Sequence, residues 1–155
     1  MARILIVDDD PSIAMMLRQF LKINGHDGVF SESVLHALDL VKQSVFDLVI
    51  TDLRMPYMNG MEVLREVKKR KSSVPVIMVT AYASAKTAIE AVKLGVFDYI
   101  EKPFKVDELM ICIERALMAD SNKTRATDGY TGNNPAVKEY FNLIAANVSR
   151  HGGGR

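Results

Sequence analysis

Short apolar runs alternate with amphipathic segments five times along the first three quarters of the chain, and this alternation constrains the fold more than any other feature. The runs are too short for helices and rich in Val and Ile, as parallel strands buried on both faces are. They are Ile4–Val7, Gly28–Phe30, Leu48–Ile50, Val76–Val79 and Phe97–Ile100. Strands that alternate with helices predict an α/β protein, with helices covering both faces of a parallel sheet.

The segments that separate and follow the runs have apolar residues at helical spacing. In chain order these positions are Ile13, Leu17, Phe20 and Leu21; Leu35, Leu38 and Val41; Val63, Leu64 and Val67; Ala85, Ala88, Ile89 and Val92; and Leu109, Ile113 and Leu117. Gly25 and Gly95 follow the first and fourth segments, and glycine is favoured directly after the end of a helix. We therefore predict five helices, two of which end at a glycine.

Composition excludes several classes of protein. A formal charge of +1 gives no overall attraction to nucleic acid or to membranes. The single cysteine, Cys112, cannot form an intramolecular disulfide, which fits a reducing cytoplasm. No apolar run approaches the roughly 20 residues of a membrane span. Three aspartates follow the first run, where a secretory signal would stay apolar. We expect a cytoplasmic protein without a membrane segment.

Polar side chains follow the apolar runs at the points where the strands end. They are Asp8, Asp9 and Asp10 after the first run, Asp52 after the third, Thr80 after the fourth and Lys102 after the fifth. Ligands of open α/β sheets bind outside the carboxyl ends of the strands, so we expect these groups to converge. Clustered carboxylates repel one another unless a cation lies among them, and oxygen ligands suit Mg²⁺.

This combination indicates phosphoryl chemistry. A metal ion can bridge a carboxylate and a phosphoryl oxygen. Lys102 can neutralise a second phosphoryl oxygen, and Thr80 can donate a hydrogen bond to a third. A remaining carboxylate would then be a nucleophile that forms an aspartyl phosphate. Asp10 precedes Pro11, and we interpret it as the N-cap of the first helix instead of as part of the site.

Four blocks of the sequence resemble the receiver domains of bacterial two-component response regulators. They are ILIVDDDPSI, DLVITDLRMPYMNGMEVL, PVIMVTAYAS and FDYIEKPF, and the resemblance covers about residues 1–120. Their order and spacing are highly specific. The resemblance implies a flavodoxin-like fold, a doubly wound five-stranded parallel sheet of order 2-1-3-4-5 with five helices.

The resemblance also implies a role for individual residues. Asp52 would be the phosphoacceptor, Asp9 would bind Mg²⁺ directly and Asp8 mainly through water. Asp52 and the backbone carbonyl of Arg54 would complete the metal ligands. Thr80 and Lys102 would hold the phosphoryl group. The peptide bond between Lys102 and Pro103 would be cis. Tyr99 would change rotamer on activation.

As a receiver, the protein would be a switch and not a turnover enzyme, although it would catalyse its own phosphorylation and dephosphorylation. A sensor histidine kinase would be its partner. Residues 82–118, which hold the fourth helix, fifth strand and fifth helix, would repack and form the dimer or partner interface. Tyr99 would move inward as they do so.

The last quarter of the chain differs in composition. Residues 121–134 are polar and aperiodic, and we interpret them as a linker. The segment GYTGNNPAVKEYFNLIAANVSR is similar to the opening of the ATPase domain in bacterial enhancer-binding activators, which act with the sigma-54 form of RNA polymerase. We therefore expect residues 135–155 to begin a truncated output domain, because the phosphate-binding loop of such a domain is absent. The alternative is an unrelated extra helix. We expect no direct contact of this chain with nucleic acid.

Two other classes of protein use related folds or chemistry. Phosphohydrolases with an aspartyl nucleophile carry a second acid two residues later, which protonates the leaving group. Here that residue is Arg54. A flavin-binding module would need a phosphate loop rich in Ser, Thr and Gly after the first strand, where this chain has three acids. Both alternatives fit the sequence poorly.

The residues beside the expected site also bear on how long a phosphoryl group would last. The side chains nearest an attacking water should lie two positions past Asp52 and two past Thr80. They are Arg54 and Tyr82, and neither has a carboxylate or carboxamide that could orient water. Both are long enough to cover the phosphoryl group, so we predict slow self-dephosphorylation. The alternative is that both point into solvent and a partner phosphatase sets the rate.

Overall fold

A computed structural model describes residues 1–56 and 58–119. Within them five strands alternate with five helices, as predicted. The strands are β1 (Arg3–Val7), β2 (Asp27–Ser31), β3 (Leu48–Asp52), β4 (Val76–Thr80) and β5 (Asp98–Glu101). The helices are α1 (Pro11–Ile23), α2 (Val34–Gln43), α3 (Met61–Arg70), α4 (Ala85–Lys93) and α5 (Val106–Met118). The predicted linker at 121–134 and the predicted output segment at 135–155 lie outside the described residues.

The strands form one parallel sheet in the order β2-β1-β3-β4-β5, which confirms the predicted fold class. From β1, the chain adds β2 on one side and the later strands on the other. Such a reversal opens a crevice at the carboxyl ends of the two strands where it occurs, here β1 and β3. Asp8 directly follows β1, and Asp52 is the last residue of β3. The topology therefore brings these two acids together.

Each face of the sheet has its own apolar core, because successive side chains of a strand point to opposite faces. In β1, Leu5 and Val7 pack with α2, α3 and α4. Ile4 and Ile6 pack with α1 and α5 on the other face. All four side chains are almost completely buried, which explains why the strand shows an uninterrupted apolar run.

Helix ends agree with the sequence prediction. The side chain of Asp10 accepts a hydrogen bond from the backbone N–H of Ser12 at 2.9 Å, and Pro11 opens α1. Gly25 and Gly95 have φ angles of +84° and +93°, in the left-handed region that glycine adopts most easily. The N-cap role of Asp10 and the two glycine termini are therefore confirmed.

Some of the predicted core positions are wrong. Leu35 is 65% exposed, because Val34 and Ala37 occupy the inner face of α2. Ala85 lies in the exposed first turn of α4. Phe20 is 38% exposed, since Leu17 and Leu21 fill the inner face of α1.

Strand ends also differ from the apolar runs by one or two residues. Asp52 and Thr80 are the last residues of their strands, where the sequence analysis placed them just beyond. Phe97 precedes β5, where the analysis placed it inside the strand. Backbone hydrogen bonding between strands continues through polar residues. The apolar run in the sequence therefore does not mark where a strand begins and ends. Among the described residues, no helix is long and apolar enough to cross a membrane.

Candidate functional site

Three carboxylates meet at the carboxyl edge of the sheet. Asp8, Asp9 and Asp52 each place a carboxylate oxygen within 4.8 Å of the others. Asp8 and Asp52 are 4% and 7% exposed, whereas Asp9 is exposed to solvent. Three acids this close are unfavourable without a compensating cation. The donor set, all carboxylate oxygens with one side open to water, is the kind that hard divalent cations prefer.

Lys102 provides one positive charge at this cluster. Its Nζ donates hydrogen bonds to Asp8 Oδ2 at 3.0 Å and to Asp52 Oδ2 at 2.9 Å. The lysine lies directly after β5, two strands away from β3 in the sheet. It reaches across the end of β4 to the two buried acids. The predicted grouping of the lysine with the acids is therefore present.

The environment changes the acidity of the paired groups. Burial raises the pKa of Asp52, and the charge of Asp8 adds to this effect, while the hydrogen bond from Lys102 opposes it. Burial alone would lower the pKa of Lys102, but its hydrogen bonds to Asp52 and Asp8 outweigh burial, so the pKa is raised. The lysine is thus held in its charged form. A charged lysine between two carboxylates can follow an anionic group that is added to either of them.

The loop after β3 packs closely on the backbone of Asp52. A Cβ at Gly60 would lie 1.8 Å from the backbone oxygen of Asp52, so only glycine fits there. The Gly60 N–H donates to the carbonyl of Leu53 at 2.7 Å, and the hydroxyl of Thr51 donates to the carbonyl of Asp52 at 3.0 Å. The sequence analysis did not single out Gly60 or Thr51. The Asn59–Gly60 dipeptide was the available signal, since it favours tight turns.

The second oxygen of Asp52 faces the same loop. Asp52 Oδ1 accepts a hydrogen bond from the backbone N–H of Arg54 at 3.3 Å. Both carboxylate oxygens of Asp52 therefore have a donor, Lys102 for one and the loop backbone for the other. The peptide bond between Lys102 and Pro103 is cis, which is the conformation that the resemblance implied.

Thr80 ends the strand next to β3. Residue Asp52 pairs with Val79 in the register, so Thr80 lies one step further towards the carboxyl edge. Its buried hydroxyl oxygen accepts a hydrogen bond from the backbone N–H of Tyr82 at 3.0 Å. The hydroxyl proton can still be donated. Thr80 thus closes the turn after β4 and keeps a hydroxyl proton available at the carboxyl edge of the sheet.

Arg54 and Tyr82 approach each other from two different loops. The guanidinium carbon of Arg54 lies 4.7 Å from the centroid of the Tyr82 ring, in a cation–π contact. Arg54 follows β3 and Tyr82 follows β4, so the contact joins the loops that leave two adjacent strands. Tyr82 is 60% exposed, so the contact lies at the protein surface.

Tyr99 is away from the acids, in the middle of the sheet's edge strand. It pairs with Met78 of β4 and is completely buried. Its hydroxyl lies 2.8 Å from the hydroxyl of Thr87 on α4. Burial raises the pKa of Tyr99, while the hydrogen bond with Thr87 opposes that shift. The ring already points inward, so an inward movement on activation would have to start from a conformation other than this one.

Comparison with known proteins identifies the family. The sequence model of the response regulator receiver domain matches residues 4–114. The chain belongs to the response regulator receiver family. Receiver domains of response regulators are signalling switches. The residues that meet at the sheet edge are therefore those of a receiver domain's acidic pocket.

Individual relatives agree with this assignment. The chain is 39% identical over 148 residues to the transcriptional regulatory protein ZraR of Klebsiella oxytoca, covering 91% of this chain and 33% of that protein. It thus spans about a third of the length of this relative. A structure of TrrA from Thermotoga maritima, in complex with Mg²⁺–BeF, superposes with a TM-score of 0.68 at 33% identity, covering 75% of this chain and 99% of that one. A beryllofluoride-activated NtrC4 receiver domain dimer superposes with a TM-score of 0.71 at 30% identity, covering 76% and 97%.

Proposed function

We propose that this receiver domain accepts a phosphoryl group on Asp52 from a sensor histidine kinase and relays the change to a transcriptional output. The observation that carries the proposal is the position of Lys102, whose Nζ bonds both Asp52 and Asp8. A phosphoryl group on Asp52 would bring its negative charge directly beside this ammonium. Charge-assisted hydrogen bonds of this kind are about twice as strong as neutral ones.

The chemical step is a displacement at phosphorus. One carboxylate oxygen of Asp52 forms a bond to phosphorus as the bond to the donor nitrogen or oxygen breaks, and the leaving group keeps that electron pair. The backbone N–H of Arg54 orients the carboxylate. Lys102 exchanges its bond to Asp52 for one to a phosphoryl oxygen, and the Thr80 hydroxyl donates to another.

The acid cluster fits a divalent cation. Asp8, Asp9 and Asp52, with the backbone carbonyl of Arg54, would hold Mg²⁺, the ion present in the related TrrA complex. When bound, the ion neutralises charge shared between a carboxylate and a phosphoryl oxygen. Asp9, being exposed, is free to turn towards an ion, whereas Asp8 is tied to Lys102 and to the N–H of Asp10.

The output of the switch would pass through α4, β5 and α5. If Thr80 follows the phosphoryl group, the turn to Tyr82 moves with it, because the two are hydrogen-bonded. That turn leads into α4, where Thr87 holds the Tyr99 hydroxyl. Residues 82–118 would then repack and form a dimer or partner interface, and the related NtrC4 receiver is a dimer. ZraR is a transcriptional regulatory protein. Because residues 129–150 also resemble the opening of the ATPase domain of enhancer-binding activators, ATPase and DNA-binding domains would receive the signal in a full-length protein.

The Arg54–Tyr82 contact supports a long-lived phosphorylated state. Both side chains belong to loops that leave the strands carrying Asp52 and Thr80, and their contact joins those loops. Water must reach phosphorus opposite the aspartyl oxygen for the group to be lost. The paired side chains would exclude this water and offer no carboxylate or carboxamide to orient it. Slow self-dephosphorylation suits transcriptional control.

Mass spectrometry with a small phosphodonor tests the proposal. The chain is incubated with acetyl phosphate and Mg²⁺, and we expect one added phosphoryl group in the parent and none in Asp52→Asn. Asp10→Asn is the matched control, because it makes the same change at a helix cap where Asn serves equally well. Equal labelling of Asp52→Asn and parent refutes the assignment. Continuous release of phosphate without a labelled intermediate would indicate a hydrolase instead.

A further inference from the structure

Lys68 is held in an unusual position on the side of α3. The nearest of its side-chain carbons lies 3.6 Å from the point that a Gly95 Cβ would occupy, so its stem packs along the turn after α4. Its Nζ donates hydrogen bonds to the backbone oxygens of Ser72 at 3.0 Å and of Val74 at 2.8 Å. The amine therefore ties the loop that connects α3 to β4.

The partners of this amine satisfy the two N–H donors of its neutral form and supply no negative charge that would hold an ammonium. A neutral amine has two N–H donors and a lone pair, whereas an ammonium has three donors. The two backbone oxygens satisfy two donors. The glutamates of the same helix, Glu62 and Glu66, are bonded to arginines, and within residues 1–56 and 58–119 no carboxylate forms an ion pair with Lys68.

Burial also favours the neutral form of Lys68. It lowers the pKa of Lys68 to about 8, because the charged form loses water without gaining a carboxylate. The side chain remains partly exposed. When the two N–H groups point at the loop carbonyls, the lone pair of the neutral amine points away from them. The neighbouring lysines, Lys69 and Lys71, are exposed.

We propose that Lys68 is a site of acylation by acyl phosphates, the mixed anhydrides of a carboxylic acid and phosphoric acid. The amine nitrogen attacks the acyl carbon, a C–N bond forms, and the bond from the acyl carbon to the bridging oxygen breaks. Inorganic phosphate leaves with the electron pair, and the nitrogen gives one proton to it. The product is an N-acyl lysine. This reaction needs neither Asp52 nor a metal ion.

Acylation should loosen the loop that it modifies. An amide nitrogen keeps a single N–H, so only one of the two carbonyls, that of Ser72 or that of Val74, retains its partner. Val74 is buried, and a buried carbonyl without a partner is unfavourable. The loop leads into β4, which carries Thr80 at its far end. The acylated protein should therefore unfold at a lower temperature than the unmodified one.

Site-resolved mass spectrometry tests the proposal on the full chain. Protein and acetyl phosphate are incubated, the chain is cut after glutamate to keep the Lys-rich segment intact, and acetylation is followed at Lys68, Lys69 and Lys71. We expect Lys68 to react on the order of tenfold faster than the other two. Each pKa unit changes the neutral fraction tenfold, and the weaker nucleophilicity of a less basic group offsets part of that gain.

Two further samples complete the test. In concentrated urea the three lysines should react at equal rates, since the packing that distinguishes Lys68 is lost. In Asp52→Asn the preference for Lys68 should remain, which separates this reaction from phosphoryl transfer. Equal rates in the folded chain, or a preference that persists in urea, overturn the proposal whatever the outcome at Asp52.

Discussion

The contact between Arg54 and Tyr82 gives the sharpest prediction about the lifetime of the phosphorylated state. The guanidinium carbon lies 4.7 Å from the ring centroid, and Tyr82 is 60% exposed. Cation–π contacts at exposed sites contribute about 0.5–1 kcal/mol. If the contact must open before water attacks, its loss lowers the barrier by that amount. Each 1.36 kcal/mol is tenfold in rate, so Arg54→Ala and Tyr82→Ala should each lose the phosphoryl group about two- to fivefold faster.

A double-mutant cycle shows whether the two side chains act as a pair. The parent, the two single variants and the double variant are phosphorylated, and the phosphodonor is then removed. Loss of the phosphoryl group in the presence of Mg²⁺ is followed by mass spectrometry of the intact chain. The double variant should be no faster than either single variant, because each change removes the same contact. Tyr82→Phe keeps the ring and should decay like the parent. Arg54→Asn should be faster than Arg54→Ala, because its carboxamide can orient water.

Several results would refute this reasoning. A parent half-life of seconds would show that water reaches phosphorus despite the pair. A double variant whose acceleration equals the product of the single effects would show that the side chains act independently. If Tyr82→Phe decayed as fast as Tyr82→Ala, the hydroxyl would matter and the ring contact would not.

Three further predictions concern the metal, the loop after β3 and Lys68. Asp9→Ala should weaken Mg²⁺ binding by about tenfold or more, whereas Asp10→Ala should leave it unchanged and cost about 1 kcal/mol of stability; calorimetric titration and urea unfolding check both, and equal affinities contradict the division. Gly60→Ala should cost at least about 1–3 kcal/mol in urea unfolding, because the new Cβ meets the rigid backbone of Asp52, and a stability equal to the parent's would rule this out. Since the pKa of Lys68 falls to about 8 on folding, the folded state binds fewer protons than the unfolded state between about pH 8 and pH 10.5. Stability relative to Lys68→Met should therefore rise with pH across this window, and a constant difference in unfolding free energy would exclude it.

The sequence alone predicted the fold class and most of the site. Buried parallel strands need apolar residues on both faces, so each strand corresponds to an apolar run in the sequence, such as Ile4–Val7. A polar residue at the end of such a run has few structural reasons to be there. This is why the sequence alone was enough to group Asp8, Asp52 and Lys102.

The sequence could not predict which apolar residue of a helix faces inward when several lie close together. Leu35 fits the helical spacing of its segment, yet Val34 and Ala37 are the residues buried against the sheet. The rotation of a helix about its axis depends on the shape of the surface it packs on. That shape comes from other segments of the chain, so local spacing does not determine it.

Within the described residues, the sequence determined what is at the site, and the tertiary structure decided how those groups are connected. The residues that follow the apolar runs predict acids, a hydroxyl and a lysine at one edge of the sheet. Only the packing of three separate strands showed that Lys102 bonds Asp8 and Asp52 at once, and that Gly60 is required by the backbone of Asp52. The pairing of Lys68 with loop carbonyls is likewise a property of packing. Such contacts depend on distances of a few ångströms between residues far apart in the chain, and spacing along the chain does not encode them.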